Sequence, residues 1–212
     1  MNKFTYPQLD TKYRYRAHNI FKNIIYQRLP LHSHILDVGC ASGNIAKLTK
    51  PDYKVSGIEN SPQYFKKAKS ICDKFYQIDL NNLRELKQIA PRQYDMIVLG
   101  DVLEHLNNPS LTLKYLLPKL KARGYLIISL PNIAQLPFRI SHLFGKFDYS
   151  PGGGVMDNTH LHFYTQKTAT ALIREHKNIN IIKIYPAGTI YSFFPFLPTL
   201  IAPQFVFLCQ KN

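Results

Sequence analysis

The sequence predicts an α/β protein with a doubly wound, mainly parallel sheet and helices on both faces. Three observations carry this. Strand-like and helix-like segments alternate from residue 34 to residue 131, which is the pattern of a parallel sheet covered on both sides. Two segments, YDMIVLGDV (94–102) and YLIISLP (125–131), are near-continuous apolar runs, as strands buried on both faces are. In HILDVGCASGN (34–44) an apolar run ends in Asp37 and enters a small-residue turn with two glycines.

The elements follow in order. Residues 14–28 read as a helix in a segment rich in aromatic and basic residues, among them Tyr13, Tyr15, Phe21 and Tyr26. Residues 34–38 are the first strand, and GNIAKLTK (43–50) is a helix that stops before Pro51. KVSGIE (54–59) is the second strand. Ser61-Pro62 supplies an N-cap and a proline at the first helical position for QYFKKAKSIC. KFYQIDL (74–80) is the third strand, and NNLRELKQIA a third helix with an Asn cap. After the 94–102 strand, Asn108-Pro109 starts the helix SLTLKYLLPKLKA, with Leu111, Leu113, Leu116, Leu117 and Leu120 on its apolar face and Pro118 distorting its last turn. Residues 133–147 are an apolar-basic stretch, and PGGG (151–154) is a loop. Thr165 caps the helix QKTATALIREHK, and NIIKIYP (180–186) and QFVFLCQ (204–210) complete the strands.

The 212 residues suit one domain, 1–212, with an amino-terminal helical segment at 1–33 and a substrate-side insertion at 133–164. No apolar run reaches the ~18 residues of a membrane span, and the polar start MNKFTYPQLD lacks a secretory apolar region. Cys40, Cys72 and Cys209 show neither pairing nor metal spacing and read as reduced thiols, so a cytoplasmic location is expected. The formal net charge of +14 favours anionic partners, but the lysines are spread along the chain, which favours the plainer reading that they keep the protein soluble. No arginine block with interleaved aromatics is present, which weighs against nucleic acid.

The motifs carry the chemistry. Small residues in the Gly39–Gly43 turn let a ligand approach the backbone and the free N–H groups at the next helix start. A dinucleotide site would show G-x-G-x-x-G; here the spacing is Gly39-x-x-x-Gly43 with Ala41 between, which disfavours NAD. Glu59 ends the second strand about 20 residues after Gly39, where a carboxylate accepts bonds from ribose hydroxyls. Asp79 and Asp101 end the third and fourth strands, so four acids, with Asp37 and Glu59, gather where open α/β sheets bind ligands. A cationic ligand accounts for them; alternatively some of them cap loops, and Asp37 organises the turn.

These stretches resemble the class I S-adenosylmethionine (SAM)-dependent methyltransferases. HILDVGCASGN, GIENSP and YQIDL are similar to the first three motifs, YDMIVLGDVLEHLNNPSLTL to the block after strand four, and LIISLPN to the fifth-strand block. The tail FRISHLFGKFDYSPGGGVMDNTHLHFYT resembles the Methyltransf_23/Methyltransf_11-like branch, which includes relatives of quinone-biosynthesis and cell-envelope glycan methyltransferases. The resemblance implies a Rossmann-like seven-stranded sheet with the last strand antiparallel, and SAM as cofactor. By position it implies that Gly39, Cys40, Ala41 and Gly43 line the amino-acid part of SAM. Asp37 would orient the turn or meet the amino group through water, Glu59 would hold the ribose, and Asn60 would lie beside the adenine. Asp79 and Leu80 would border the adenine, and Gly100 and Asp101 would meet the methionyl amino end.

Methyl transfer to a hydroxyl needs a proton acceptor, and histidine suits neutral pH. His160, in the T-H-L motif that similar families carry, is the leading candidate base, and His105 in DVLEHL the second. Of His160 and His162, one is expected to face inward and the other outward. No Asp/His pair has ligand spacing, so no metal is expected. Arg139, Lys146 and Gly152–Gly154 are expected to form a lid, and FFPFLPTLI (193–201) to wall a pocket, touch a membrane or be buried before the last strand. The expected acceptor is a small molecule, a lipid-linked compound or a glycan, methylated at oxygen. The alternatives are a nucleic-acid methyltransferase, disfavoured because Gly100-Asp101-Val102-Leu103 replaces an N/D-P-P-Y-type motif, and a non-catalytic SAM-binding partner subunit.

Overall fold

The computed structural model describes residues 17–149, 154–188 and 197–212. Its centre is a seven-stranded sheet: β1 (His34–Val38), β2 (Lys54–Ile58), β3 (Lys74–Tyr76), β4 (Tyr94–Gly100), β5 (Leu120–Pro131), β6 (Ile179–Ala187) and β7 (Gln204–Lys211). The spatial order is β3-β2-β1-β4-β5-β7-β6. The first five strands pair in parallel, and β7 lies antiparallel between β5 and β6. This is the expected Rossmann-like sheet with the last strand antiparallel.

Side-chain alternation explains why both faces are covered. Leu36, Val38, Ile97 and Leu99 enter one core cluster, while Ile35, Met96 and Val98 enter the other. The first cluster is closed by Leu113 and Leu116 of α4 (Pro109–Leu116) and by Ala169 and Ile173 of α6 (Gln166–Arg174). The second is closed by Ile20, Phe21, Ile24 and Ile25 of α1 (Ala17–Arg28), Ile45 and Ala46 of α2 (Asn44–Thr49), and Ala68 of α3 (Pro62–Ile71). The chain steps outward from β1 to β3 and then crosses back to β4, so the strand order reverses between β1 and β4. Their registers, Val38 beside both Ile58 and Leu99, bring three strand ends level at that switch point, where open α/β sheets form a crevice.

Several elements differ from expectation. NNLRELKQIA is not a full helix but a short 3-10 turn, Glu85–Gln88, because Glu85 is used locally: its Oε2 accepts from Asp79 N at 3.0 Å and its Oε1 from Asn82 Nδ2 at 2.7 Å. β3 stops at Tyr76, short of the expected residue 80. Pro118 does end α4, and the chain passes into a 3-10 turn, Leu117–Lys119. Leu111 is exposed and Thr112 takes its place inward, with its hydroxyl donating to Asn108 O at 3.1 Å. Thr165 caps α6 as expected, in a reciprocal box with Thr168. Within the 133–147 stretch lies a helix, α5 (Leu136–Leu143), with Pro137 in its first turn. Of the expected amino-terminal helix, residues 14–16 lie outside the described residues, as do 193–196 of FFPFLPTLI; Leu197 is exposed and leads into α7 (Pro198–Ile201). Among the described residues, no helix is long and apolar enough to cross a membrane.

Candidate functional site

The turn after β1 makes three alternate residues left-handed: Gly39 (φ 67°), Ala41 (φ 45°) and Gly43 (φ 74°). Glycine is needed at the first, where a Cβ would meet Val102 Cγ2 at 2.6 Å. The turn is fixed from the second strand. Glu59 Oε2 accepts from Ala41 N at 2.9 Å, and its Oε1 accepts from Asn60 N and Ser61 N at 2.9 and 2.8 Å. Asp37 lies beneath, buried, its carboxyl accepting from the Ile45 backbone; burial pushes its pKa well above the ordinary carboxylate value. Asp37 therefore does not line the cleft.

Above the strand ends lies a cleft of about 740 Å³. Of the expected residues, Gly39, Ala41, Glu59, Asn60, Asp79, Leu80, Gly100, Asp101 and His105 line it. Cys40 and Gly43 do not. The Cys40 sulfur turns inward over Gly57, at 2.7 Å from where a Cβ would stand, and Gly43 backs onto Ile71. Sequence reading missed the apolar part of the wall, which includes Ile78, Val102 and Leu106, together with Tyr64. Three carboxylates (Glu59, Asp79 and Asp101) thus face one cleft with a partly apolar wall.

A second cavity of about 320 Å³ adjoins it, sharing Asp101 and His105 and adding Glu104, His160 and Gln204. The chain from 159 to 162 is clamped over the two. Glu104 O accepts from Leu161 N and His162 N at 2.8 and 3.1 Å, and His162 Nε2 donates to Leu106 O at 2.9 Å. His162 is a strut, and His160 turns to the cavity; they part because the loop bends between them, since residues two apart on an extended chain would share a face. His160 donates from Nδ1 to Val155 O at 3.1 Å, since a carbonyl oxygen only accepts, and the neutral ring keeps a lone pair on Nε2. Burial holds its pKa below the usual histidine value, so the neutral imidazole is favoured. His105 packs edge-on against it, ring centroids 4.7 Å apart, with Nδ1 3.2 Å from Thr159 O.

Glu104 is the residue that no sequence signal singled out. Its side chain is fully buried, and both carboxylate oxygens lack a hydrogen-bond partner. Burial first, and Asp101 second, push its pKa well above the ordinary value, favouring the neutral acid. Among the described residues, Glu104, His105 and His160 form the group whose ligand atoms, all within 4.8 Å of one another, have a spacing that suits a metal ion. That spacing was invisible in the sequence because His160 is brought in from a distant loop. Of the expected lid, Gly154 lines the second cavity and Arg139 Nε donates to Ala134 O at 2.6 Å, while Gly152 and Gly153 lie outside the described residues.

Sheet order, glycine turn and acidic cleft together define a methyltransferase-type nucleotide fold. The chain belongs to the Methyltransf_23 family, described as a methyltransferase domain, which matches residues 12–178. Among curated proteins it is 27% identical, over 155 residues, to a ubiquinone biosynthesis O-methyltransferase of Rickettsia bellii, covering 69% of this chain and 63% of that one. The chain thus spans less than two thirds of that relative's length. Among solved structures it is similar to a SAM-dependent methyltransferase of Archaeoglobus fulgidus (TM-score 0.64, 18% identity, 92% of this chain and 95% of that one). A second, from Methanosarcina mazei, gives a TM-score of 0.65 at 20% identity over 89% of this chain and 96% of that one.

Proposed function

We propose that this protein binds S-adenosylmethionine in the larger cleft and methylates a hydroxyl of a small-molecule, lipid-linked or glycan-type acceptor in the adjoining cavity. The observation that carries the reading is the juxtaposition of an acid-lined cleft with a cavity holding His160, whose Nε2 is free to accept a proton. The cofactor supplies an electrophilic methyl group on a sulfonium centre.

The residues present fit that group. Its positive charges call for carboxylates without a matching excess of cations, and Glu59, Asp79 and Asp101 provide them. Gly39 leaves room for close approach to the backbone. Ile78 and Leu80 offer apolar contact for the base, with Asp79 as acceptor for its exocyclic amine. Glu59 has spent three acceptor positions on the loop and keeps a fourth for a ribose hydroxyl. His160 would take the acceptor proton at Nε2, and its lowered pKa keeps it able to do so near neutrality. The relative's name, an O-methyltransferase, supports oxygen as the acceptor atom. The net charge of +14 suits a phosphorylated or otherwise anionic acceptor.

The test uses SAM labelled on its methyl group, incubated with the protein and a fractionated cell extract. Label is expected in a small-molecule, lipid or glycan pool and absent with Asp101→Asn. Label in nucleic acid would overturn the acceptor class. Tight binding of S-adenosylhomocysteine with no label in any pool would overturn catalysis and leave a binding subunit.

A further inference from the structure

Cys40 and Cys72 meet beneath the glycine turn. Cys40 lies in the turn itself, and Cys72 closes α3. Both are free and buried in the same core cluster, whereas Cys209 belongs to the other. Gly57 of β2 shows how near the two sulfurs stand. A Cβ there would lie 2.7 Å from the Cys40 sulfur and 2.8 Å from that of Cys72. Gly57 is not left-handed, so its conformation does not demand a glycine. A glycine inside a strand weakens it and marks a close approach, and here two sulfurs approach. Neither cysteine lines the cofactor cleft or the adjoining cavity, so the methyl transfer leaves both thiols unused.

We propose that Cys40 and Cys72 form a reversible disulfide when oxidised by hydrogen peroxide, and that this bond weakens cofactor binding. The two thiols are unequal. Cys72 sits at the α3 C-cap and is 8% exposed, against 2% for Cys40. The Cys40 thiol, with Lys50 and Lys47, lowers the Cys72 pKa against the opposing effect of burial, while the Cys40 pKa is raised by Cys72 and by burial. Cys72 is therefore the nucleophile and Cys40 the resolving thiol. α3 buries only Ala68, so its end can open locally to admit a small oxidant. The Cys72 thiolate attacks one peroxide oxygen: an S–O bond forms, the O–O bond breaks, and the departing hydroxide takes the proton that Cys72 released. The Cys40 sulfur then attacks the sulfenic sulfur: the S–S bond forms, the S–O bond breaks, and water leaves with the Cys40 proton. Two thiols lose two electrons, and one peroxide is reduced to two waters.

The bond would reach the cleft because both of its carriers wall it. Gly39 and Ala41 flank Cys40 and line the cleft, as do Ser61 and Tyr64 at the start of α3. A disulfide is about 2 Å long, roughly half a non-bonded contact, so forming it pulls the turn and α3 together. The turn has little slack. Its left-handed residues and the Ala41 amide held by Glu59 fix one shape. The effect on the cofactor rests on the function proposed above; formation of the bond does not.

The experiment treats the full chain with hydrogen peroxide, alkylates the remaining thiols with iodoacetamide in denaturant, and maps the peptides by mass spectrometry. A cross-link between Cys40 and Cys72 is expected, with Cys209 alkylated, and dithiothreitol should reverse it. Affinity for S-adenosylhomocysteine, measured by calorimetry, should fall about tenfold on oxidation and recover on reduction. Cys72→Ala should keep the affinity of the reduced protein and lose the response to peroxide. By linkage, saturating S-adenosylhomocysteine should make the dithiol couple about 30 mV more oxidising in a glutathione buffer, the equivalent of that tenfold. Thiols that stay reduced, or reach sulfinic acid without a cross-link, overturn the proposal. So does a cross-link that leaves affinity unchanged, or a response that persists in Cys72→Ala. A cross-link in a protein whose reduced form binds no S-adenosylhomocysteine overturns the cofactor reading, and the regulation with it.

Discussion

Ser129 and Asp101 hold each other in both directions. The Ser129 hydroxyl donates to Asp101 Oδ1 at 2.9 Å and accepts the Asp101 backbone N–H at 3.0 Å. Ser129 is fully buried in β5, while Asp101 sits exposed just past β4 with φ at +56°, a conformation that side-chain-bearing residues rarely take. Gln204 at the start of β7 donates to the same Oδ1. One cleft carboxylate is thus fixed by three strands, and its strained backbone is held by neighbours rather than by local preference.

Ser129→Ala should therefore loosen Asp101 without emptying the core. The loss of two modest hydrogen bonds costs about 1–2 kcal/mol of stability. Affinity for S-adenosylhomocysteine should fall about tenfold, because the carboxylate would no longer be set in advance. Calorimetry and denaturant melts check the two effects separately.

Ala41 stands at φ +45°, where a side chain costs about 1 kcal/mol relative to glycine. Ala41→Gly should relieve that strain, offset in part by the looser unfolded chain. The expected result is a rise of up to about 1 kcal/mol, or about 2–4 °C in melting temperature, with ligand affinity nearly unchanged. A fall in stability would mean that the alanine methyl makes a packing contribution larger than its strain.

Asp37 gives a pH dependence whose sign is fixed by its burial. Burial raises its folded-state pKa, and the nearby Cys72 adds to this. The folded state then holds a proton that the unfolded state releases above about pH 4. Its contribution to stability is full below that value and is lost as pH rises through the raised folded value. Asp37→Asn keeps an oxygen to accept from Ile45 and removes the titration. Denaturation across a pH series should show the variant gaining on wild type as pH rises.

The fold was legible because its signal is periodic. The runs at 94–102 and 125–131 could bury both faces only as central parallel strands, and they are β4 and β5. The acids at the strand ends were legible for the same reason: a strand end in sequence is a place in space. Orientation was not. Cys40 belongs to the glycine turn yet points into the core, and Glu59 spends most of its acceptor capacity on backbone amides that no spacing announces. Glu59→Ala would consequently confound loop collapse with loss of a ligand contact. Glu104 hid for another reason. An E-H pair reads as the solvated start of a helix, and only the return of residues 154–162 over it makes it buried.

That return sets up the last prediction. Glu104, His105 and His160 can act in two ways: a neutral acid beside two imidazoles, one of them the base, or three ligands of a cation. Without a cation, burial favours the uncharged forms of Glu104 and His160, which is the first arrangement; a bound cation would favour the carboxylate instead. His160→Ala should then lower turnover by about 10²–10⁴-fold and leave S-adenosylhomocysteine affinity unchanged, since His160 lines the second cavity and not the cofactor cleft. Dialysis against a chelator should leave wild-type turnover intact. Turnover lost on dialysis and restored by a divalent cation would instead make His160 a ligand, with the proton passing to metal-bound solvent. Glu104→Gln separates the two as well. It should be mild where the neutral acid serves and severe where a charged ligand is required, because an amide cannot replace a carboxylate on a hard cation.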